Sequence, residues 1–209
     1  MKKLMEPKCL RIAVLASGRG SNFDALSQAI NKNDLNANIH ILISDKENAP
    51  ALQKATQQDI KAVYINPKDY PDKIEYEKKL LSHLQEYNID LIVLAGYMRL
   101  VGATLLNSYK LRILNIHPAL LPAFPGLDAQ KQALDYGVRY SGCTVHFVDE
   151  GVDTGPIIMQ AVVPVKDDDT EESLSQRILA EEHKVYWQAV QAIAEGTVYI
   201  DGRKVYIKD

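Results

Sequence analysis

Only two cysteines occur in 209 residues, Cys9 and Cys143, far apart and in no CxxC pair. That spacing excludes a disulfide framework and a cysteine-built zinc site, and it suits reduced thiols in a cytoplasmic protein. No run approaches the ~20 apolar residues that cross a bilayer, so no membrane partner is expected. Charge of one sign is also lacking: 24 Lys and Arg against 27 Asp and Glu leave a net charge of -3. Without a basic face, no nucleic-acid partner is expected. The five histidines show no metal-ligand spacing, so no metal is expected either. The opening "MKKLMEPK" is interrupted by Glu6, Pro7 and Lys8, and residues 1–9 read as a ragged leader rather than a signal peptide. Repeats, low-complexity tracts and linkers are missing too, which leaves a single domain over 1–209.

What is present alternates. "LRIAVLA" (10–16), "ANIHILIS" (37–44), "KAVYIN" (61–66), "DLIVLAGY" (90–97) and "LRILNIH" (111–117) are short strand-like runs. Amphipathic stretches at 22–32, 50–58, 73–87 and 102–108 separate them. Strands apolar on both faces with helices between them predict a doubly wound, mostly parallel α/β sheet of Rossmann-like type. After 140 the pattern changes. "SGCTVHFV" (141–148) and "PIIMQAVVPV" (156–165) are joined with no room for a crossover helix, so they pair antiparallel. A long helix comes next, with a capping-box-like start at Asp169 and Glu172 and a stop at Gly196. A hairpin on an Asp201-Gly202 turn ends the chain.

Three constellations carry candidate chemistry. "ASGRGSN" (16–22) lies where the first strand hands over to a helix. Its glycines allow a tight turn, and helix-start amides with Ser21 and Asn22 suit a phosphate monoester. The plainer alternative is that any doubly wound fold needs small residues there. Gly18 and Gly20 imitate a dinucleotide fingerprint, but Phe23 stands where the third glycine belongs; Asp45 imitates the ribose-binding acid and keeps an NAD reading open.

Asn115 and His117 lie two apart on a strand and so face one crevice, at the carboxyl end where open α/β sheets bind ligands. Pro118, Pro122 and Pro125 stiffen the loop that leaves this strand. An amide beside an imidazole can stabilise an oxyanion and move a proton; the alternative is a core histidine beside a turn-forming Asn. In "DEGVDTGPI" (149–157), Asp149 and Glu150 look solvated, whereas Gly155-Pro156 pins the chain just after Asp153. A fixed carboxylate near His117 would orient the ring and raise its pKa.

Asn115-x-His117-Pro118, "LLPAFPG", "GCTVHFV" and Asp153-x-Gly155-Pro156 together resemble the formyltransferases that use 10-formyltetrahydrofolate. With "SGRGSN" added, the likeness narrows to the branch that formylates 5-phosphoribosylglycinamide (GAR) in purine synthesis. It runs from Arg11 to about Gly202. The resemblance implies catalysis by Asn115, His117 and Asp153. It places the GAR phosphate at Gly20, Ser21 and Asn22, and the ribose hydroxyls at Glu182.

By the same resemblance, Met98, Arg99, Leu100 and Val101 meet the folate, Lys73 lies near its glutamate end, and Asn115 and the loop of Asp149, Glu150, Gly151, Val152 and Asp153 close over it. The halves then divide as phosphate-binding (10–110) and catalytic and folate-binding (111–209). GAR and folate are the expected small-molecule partners, with no metal and no NAD(P), in a monomer or weak homodimer. Ala119 departs from the usual Ser after His-Pro, and Phe23 from the usual Leu. Three rivals stand beside this. A formyltetrahydrofolate hydrolase would carry an extra N-terminal regulatory domain, and a non-catalytic nucleotide-binding regulator would not need the Asn–His–Asp set. A methionyl-tRNA formyltransferase would need a further RNA-binding domain.

Overall fold

A computed structural model describes residues 1–208. Its main sheet has seven strands: β2 (Leu10–Leu15), β3 (Ala37–Ser44), β4 (Lys61–Tyr64), β5 (Leu91–Leu94), β6 (Ile113–His117), β7 (Tyr140–Phe147) and β8 (Ile157–Pro164). They lie in the order β4-β3-β2-β5-β6-β7-β8. The first five are parallel, while β7 joins β6, and β8 joins β7, antiparallel. The doubly wound sheet with two antiparallel additions is therefore as the sequence implied. The chain runs outward from β2 in both directions, so loops after β2 and β5 diverge and leave a crevice between them.

Strand residues alternate between two cores. Ile12 and Val14 pack with α1 (Ser21–Asn31), α2 (Pro50–Gln57) and α6 (Glu171–Ala194), while Ala13 and Leu15 pack with α3 (Lys73–Glu86) and α4 (Ala103–Ser108). The period of two along each strand feeds both layers. Tyr186 of α6 is fully buried and its hydroxyl donates to the carbonyls of Leu94 (2.8 Å) and Leu114 (3.2 Å), which fixes α6 across the ends of β5 and β6.

Several local expectations need correction. Residues 1–9 are in part ordered, because β1 (Lys2–Lys3) pairs with β9 (Val198–Asp201) in a small sheet completed by β10 (Lys204–Ile207). The turn of that hairpin is Gly202-Arg203, since Asp201 pairs with Lys204. The capping box of α6 is Thr170 with Ser173, one residue later than Asp169 and Glu172. Asp169 instead grips Arg177 through both carboxylate oxygens (2.7 and 2.8 Å), which holds its carboxyl well below the usual range. A further helix, α5 (Ala129–Tyr136), crosses between β6 and β7. Among the described residues no helix is long and apolar enough to cross a membrane.

Candidate active site

The loop between β2 and α1 is built by a turn that favours glycine. Gly20 caps α1 at φ 72°, and a Cβ there would lie 2.8 Å from the Ala51 Cβ. No side chain caps the helix, so the amides of its first turn are free for an anion. Gly20, Ser21, Asn22 and Glu182 line one cavity of about 530 Å³. Asn22 and Glu182 are nearly buried, and the Asn22 amide donates to Glu182 at 2.9 Å. One of the two side-chain N–H groups of Asn22 is thereby engaged, which leaves the other and the backbone amide as its remaining donors. Burial holds the Glu182 carboxyl above its ordinary pKa, and the Asn22 hydrogen bond works against that shift.

A second cavity, about 510 Å³, gathers Lys73, Met98 to Val101, Asn115, His117 and the loop from Asp149 to Asp153. Every residue to which the family resemblance gives a role lines one cavity or the other. Gly96, Met98, Ile116, Pro118 and Gln130 line both. Around the second cavity Met98 (67% exposed), Leu100, Leu127 and Val152 present apolar side chains to solvent, a surface suited to a flat ring system. Arg99 lies over the Tyr76 ring, 5.2 Å from its centroid.

At the floor, His117 is nearly buried. Its Nδ1 stands 3.2 Å from Asp153 Oδ2 and its Nε2 stands 2.7 Å from the Phe124 carbonyl. A neutral imidazole carries one proton, yet both nitrogens face acceptors; only the cation satisfies both. Burial opposes that cation and outweighs the raising effects of Asp153 and Phe124, so the ring's pKa lies below its ordinary value. The Asp153 carboxylate does raise the pKa, as the sequence implies, but desolvation exceeds that neighbouring charge and the net direction is downward.

Burial is also the largest influence on Asp153, pushing its pKa up. The His146 hydrogen bond, the Gly126 amide (2.9 Å) and the charges of His117 and His146 together reverse it, and the carboxyl stays below its ordinary range. Asp153 sits at φ 54°, and a Cβ on Gly155 would lie 1.7 Å from the Phe147 carbonyl. The loop is thus closed by a glycine that nothing larger can replace.

Two residues of the "GCTVHFV" stretch are given no role by the sequence. His146, buried on β7, donates from Nδ1 to the Phe147 carbonyl (2.9 Å) and places Nε2 3.3 Å from the Asn115 amide nitrogen and 3.5 Å from Asp153. Thr144, fully buried, donates to the Ala119 carbonyl (2.7 Å) and accepts from the Leu121 amide (3.0 Å) and Gln160 (2.9 Å). The proline loop is held by that hydroxyl as well as by its rings. Register is the signal that finds them, since Asn115 pairs with His146 and His117 with Thr144.

A buried His–Asp pair beside an amide, next to a helix start whose amides no side chain caps, at the carboxyl edge of a doubly wound sheet, is an arrangement suited to a group-transfer enzyme. Residues 10–190 match the formyl transferase family model, and the chain belongs to that family. More particularly, it is 44% identical to the phosphoribosylglycinamide formyltransferase of Bacillus subtilis (strain 168), over 88% of this chain and 94% of that protein. It is 45% identical to the trifunctional purine biosynthetic protein adenosine-3 of Drosophila melanogaster over 95% of this chain, but spans only 15% of that protein's length. The crystal structure of glycinamide ribonucleotide transformylase 1 from Symbiobacterium toebii superposes with a TM-score of 0.94 at 48% identity, covering 96% of this chain and 94% of that one.

Proposed function

We propose that this chain transfers the formyl group of 10-formyltetrahydrofolate to the amine of GAR, giving formyl-GAR and tetrahydrofolate in de novo purine biosynthesis. The observation that carries this is the shared floor of the two cavities. Gly96, Met98, Ile116 and Pro118 line both, so an anchored phosphate ester on one side and a flat donor on the other meet beside Asn115 and His117.

The first-turn amides of α1 and Ser21 hold the phosphate, while Glu182 accepts from the ribose hydroxyls. The amine attacks the formyl carbon and the carbonyl electron pair moves to oxygen. Asn115, whose amide nitrogen is held only by 3.3 Å contacts, turns to donate to that oxyanion. His117 takes up a proton and becomes the cation its two acceptors favour, with Asp153 holding the ring. Collapse expels the folate nitrogen, which leaves with the proton lost by the amine. Loss of one oxyanion donor typically costs ~2.7–4 kcal/mol of barrier. Transfer of an acyl group between two nitrogens is redox-neutral, so the reaction calls for no NAD(P), and the side chains named supply both charge and proton without a metal. We place the protein in the cytoplasm as a monomer or weak homodimer.

The test is an absorbance assay of 10-formyltetrahydrofolate with and without GAR. Consumption that requires GAR and yields one formyl-GAR per folate supports the reading. Equal consumption without GAR identifies a hydrolase, and none in either case identifies a binding regulator.

A further inference from the structure

Asp45 is an acid of the sequence motifs to which the proposed reaction gives no part. It lies just after β3, is 5% exposed, and its Oδ1 accepts the Ser17 hydroxyl at 2.6 Å. Buried and engaged in this way, it is not available to a nucleotide ribose. Ser17 in turn accepts from the Met98 amide at 2.9 Å, and its own amide donates to the Gly96 carbonyl at 3.0 Å. One serine at the exit of β2 therefore holds residues 96–98 at two points. From the opposite side, the Tyr97 and Tyr76 hydroxyls lie 2.8 Å apart. Gly96 and Met98 line both cavities, and Ser17 directly precedes Gly18 of the phosphate cavity.

We infer that Ser17, oriented by Asp45, is a positioning residue that couples the two substrate sites, so that filling either cavity preorganises the other. The inference rests on the two-substrate reading above. A hydroxyl has one proton to give. With that proton directed to Asp45, a lone pair is aimed at the Met98 amide and the serine cannot rotate without leaving a buried carboxylate unpartnered. Any displacement of the phosphate loop is thereby passed to the segment that floors the folate cavity. Coupling of this kind is reciprocal.

Calorimetry on the intact chain tests it. The Kd of GAR is measured alone and with saturating tetrahydrofolate, and the reverse, for the wild type, Ser17→Ala, Ser17→Thr and Asp45→Asn. The wild type should show mutual tightening within the ~5–150-fold range usual for coupled sites. Ser17→Ala should abolish that factor and lower kcat, with each single-ligand Kd little changed. Thr and Asn keep a hydroxyl and an acceptor and should retain the coupling. Hydrogen exchange of the unmutated protein gives a second readout: tetrahydrofolate alone should slow exchange at residues 18–21, which its cavity does not touch. Unchanged coupling in folded Ser17→Ala, or unchanged exchange at 18–21, overturns the inference while GAR-dependent turnover of the wild type leaves the two-substrate reading standing. A wild type that binds no GAR overturns both.

Discussion

Asp153 Oδ2 stands 3.2 Å from His117 Nδ1, although one residue ends a parallel strand and the other sits in the loop between two antiparallel ones. β7 runs back alongside β6, from Thr144 opposite His117 to Phe147 opposite Leu114, so the 149–155 loop starts beside the beginning of β6. The loop then folds back over the cavity and brings Asp153 to His117.

The loop between β2 and α1, the proposed phosphate site, predicts different outcomes for two neighbouring glycines. A Cβ on Gly18 meets nothing within 4 Å, whereas one on Gly20 runs into Ala51 at a backbone angle that disfavours side chains. Gly18→Val should therefore raise the KM for GAR and leave the folding midpoint nearly unchanged. Gly20→Val should instead lower the midpoint, because its first clash is with α2 and not with a bound phosphate. Steady-state kinetics beside thermal melts check the pair, and equal melts for the two variants would contradict the loop geometry.

Thr144→Val keeps the shape at a fully buried site and removes the hydroxyl that serves Ala119, Leu121 and Gln160. Each buried group left without a partner costs about 1–3 kcal/mol. Urea denaturation should show a loss of at least that size. Turnover should fall with it, because the proline loop also carries the Phe124 carbonyl that meets His117. A variant as stable as the wild type would mean that the prolines alone fix the loop.

Much of this architecture is legible in the chain itself. The parallel strands and the final antiparallel pair are implied by periodicity and loop length, Asn115 and His117 by their spacing at the carboxyl end of a strand, and Asp153 by the Gly155-Pro156 pair that follows it. Pairings across the sheet are not legible. Thr144 and His146 lie in the "GCTVHFV" stretch that carries part of the family likeness, but their contacts follow only from the register against β6. Helix α5 leaves little trace because it buries just Ala129 and Ala133 and starts at an uncapped Asp128 in the left-handed region. The direction of the His117 shift is hidden as well, because a sequence shows the neighbouring charge and not the depth of burial.

Stability should fall on acidification in two windows. His117 has a folded pKa below 6.5, so between that folded value and 6.5 the unfolded chain binds more protons and the native state weakens as the solution is acidified. Asp153 has a folded pKa below 3.8; its contribution is present above 3.8 and is lost as pH falls through the folded value. Urea midpoints from pH 8 to pH 3 should decline through both windows, and His117→Asn should make the upper one shallower, with the remainder left to His40, His83 and His183, whose pKa values are also lowered. A midpoint that rises on acidification below 6.5 would contradict the burial argument.

Turnover should survive chelation. Among the described residues, no group of three or more His, Cys, Asp and Glu side chains is arranged to hold a metal ion. Prolonged dialysis against EDTA should leave the rate of formyl transfer unchanged, and zinc or magnesium added back should not raise it. A chelated enzyme that recovers only with metal would overturn the side-chain mechanism.

The most direct measurement is Asp153→Asn, which keeps the shape of the side chain and removes its charge. Asp153 raises the His117 pKa against the effect of burial, so in the variant the value should fall further below 6.5, as tracked by NMR titration of the ring. Turnover should drop by the ~10²–10⁴ typical of lost acid–base catalysis, while GAR and tetrahydrofolate bind within a few-fold of the wild type. An unchanged His117 titration with unchanged kcat would contradict the account, since the carboxylate would then neither hold the ring nor assist its proton.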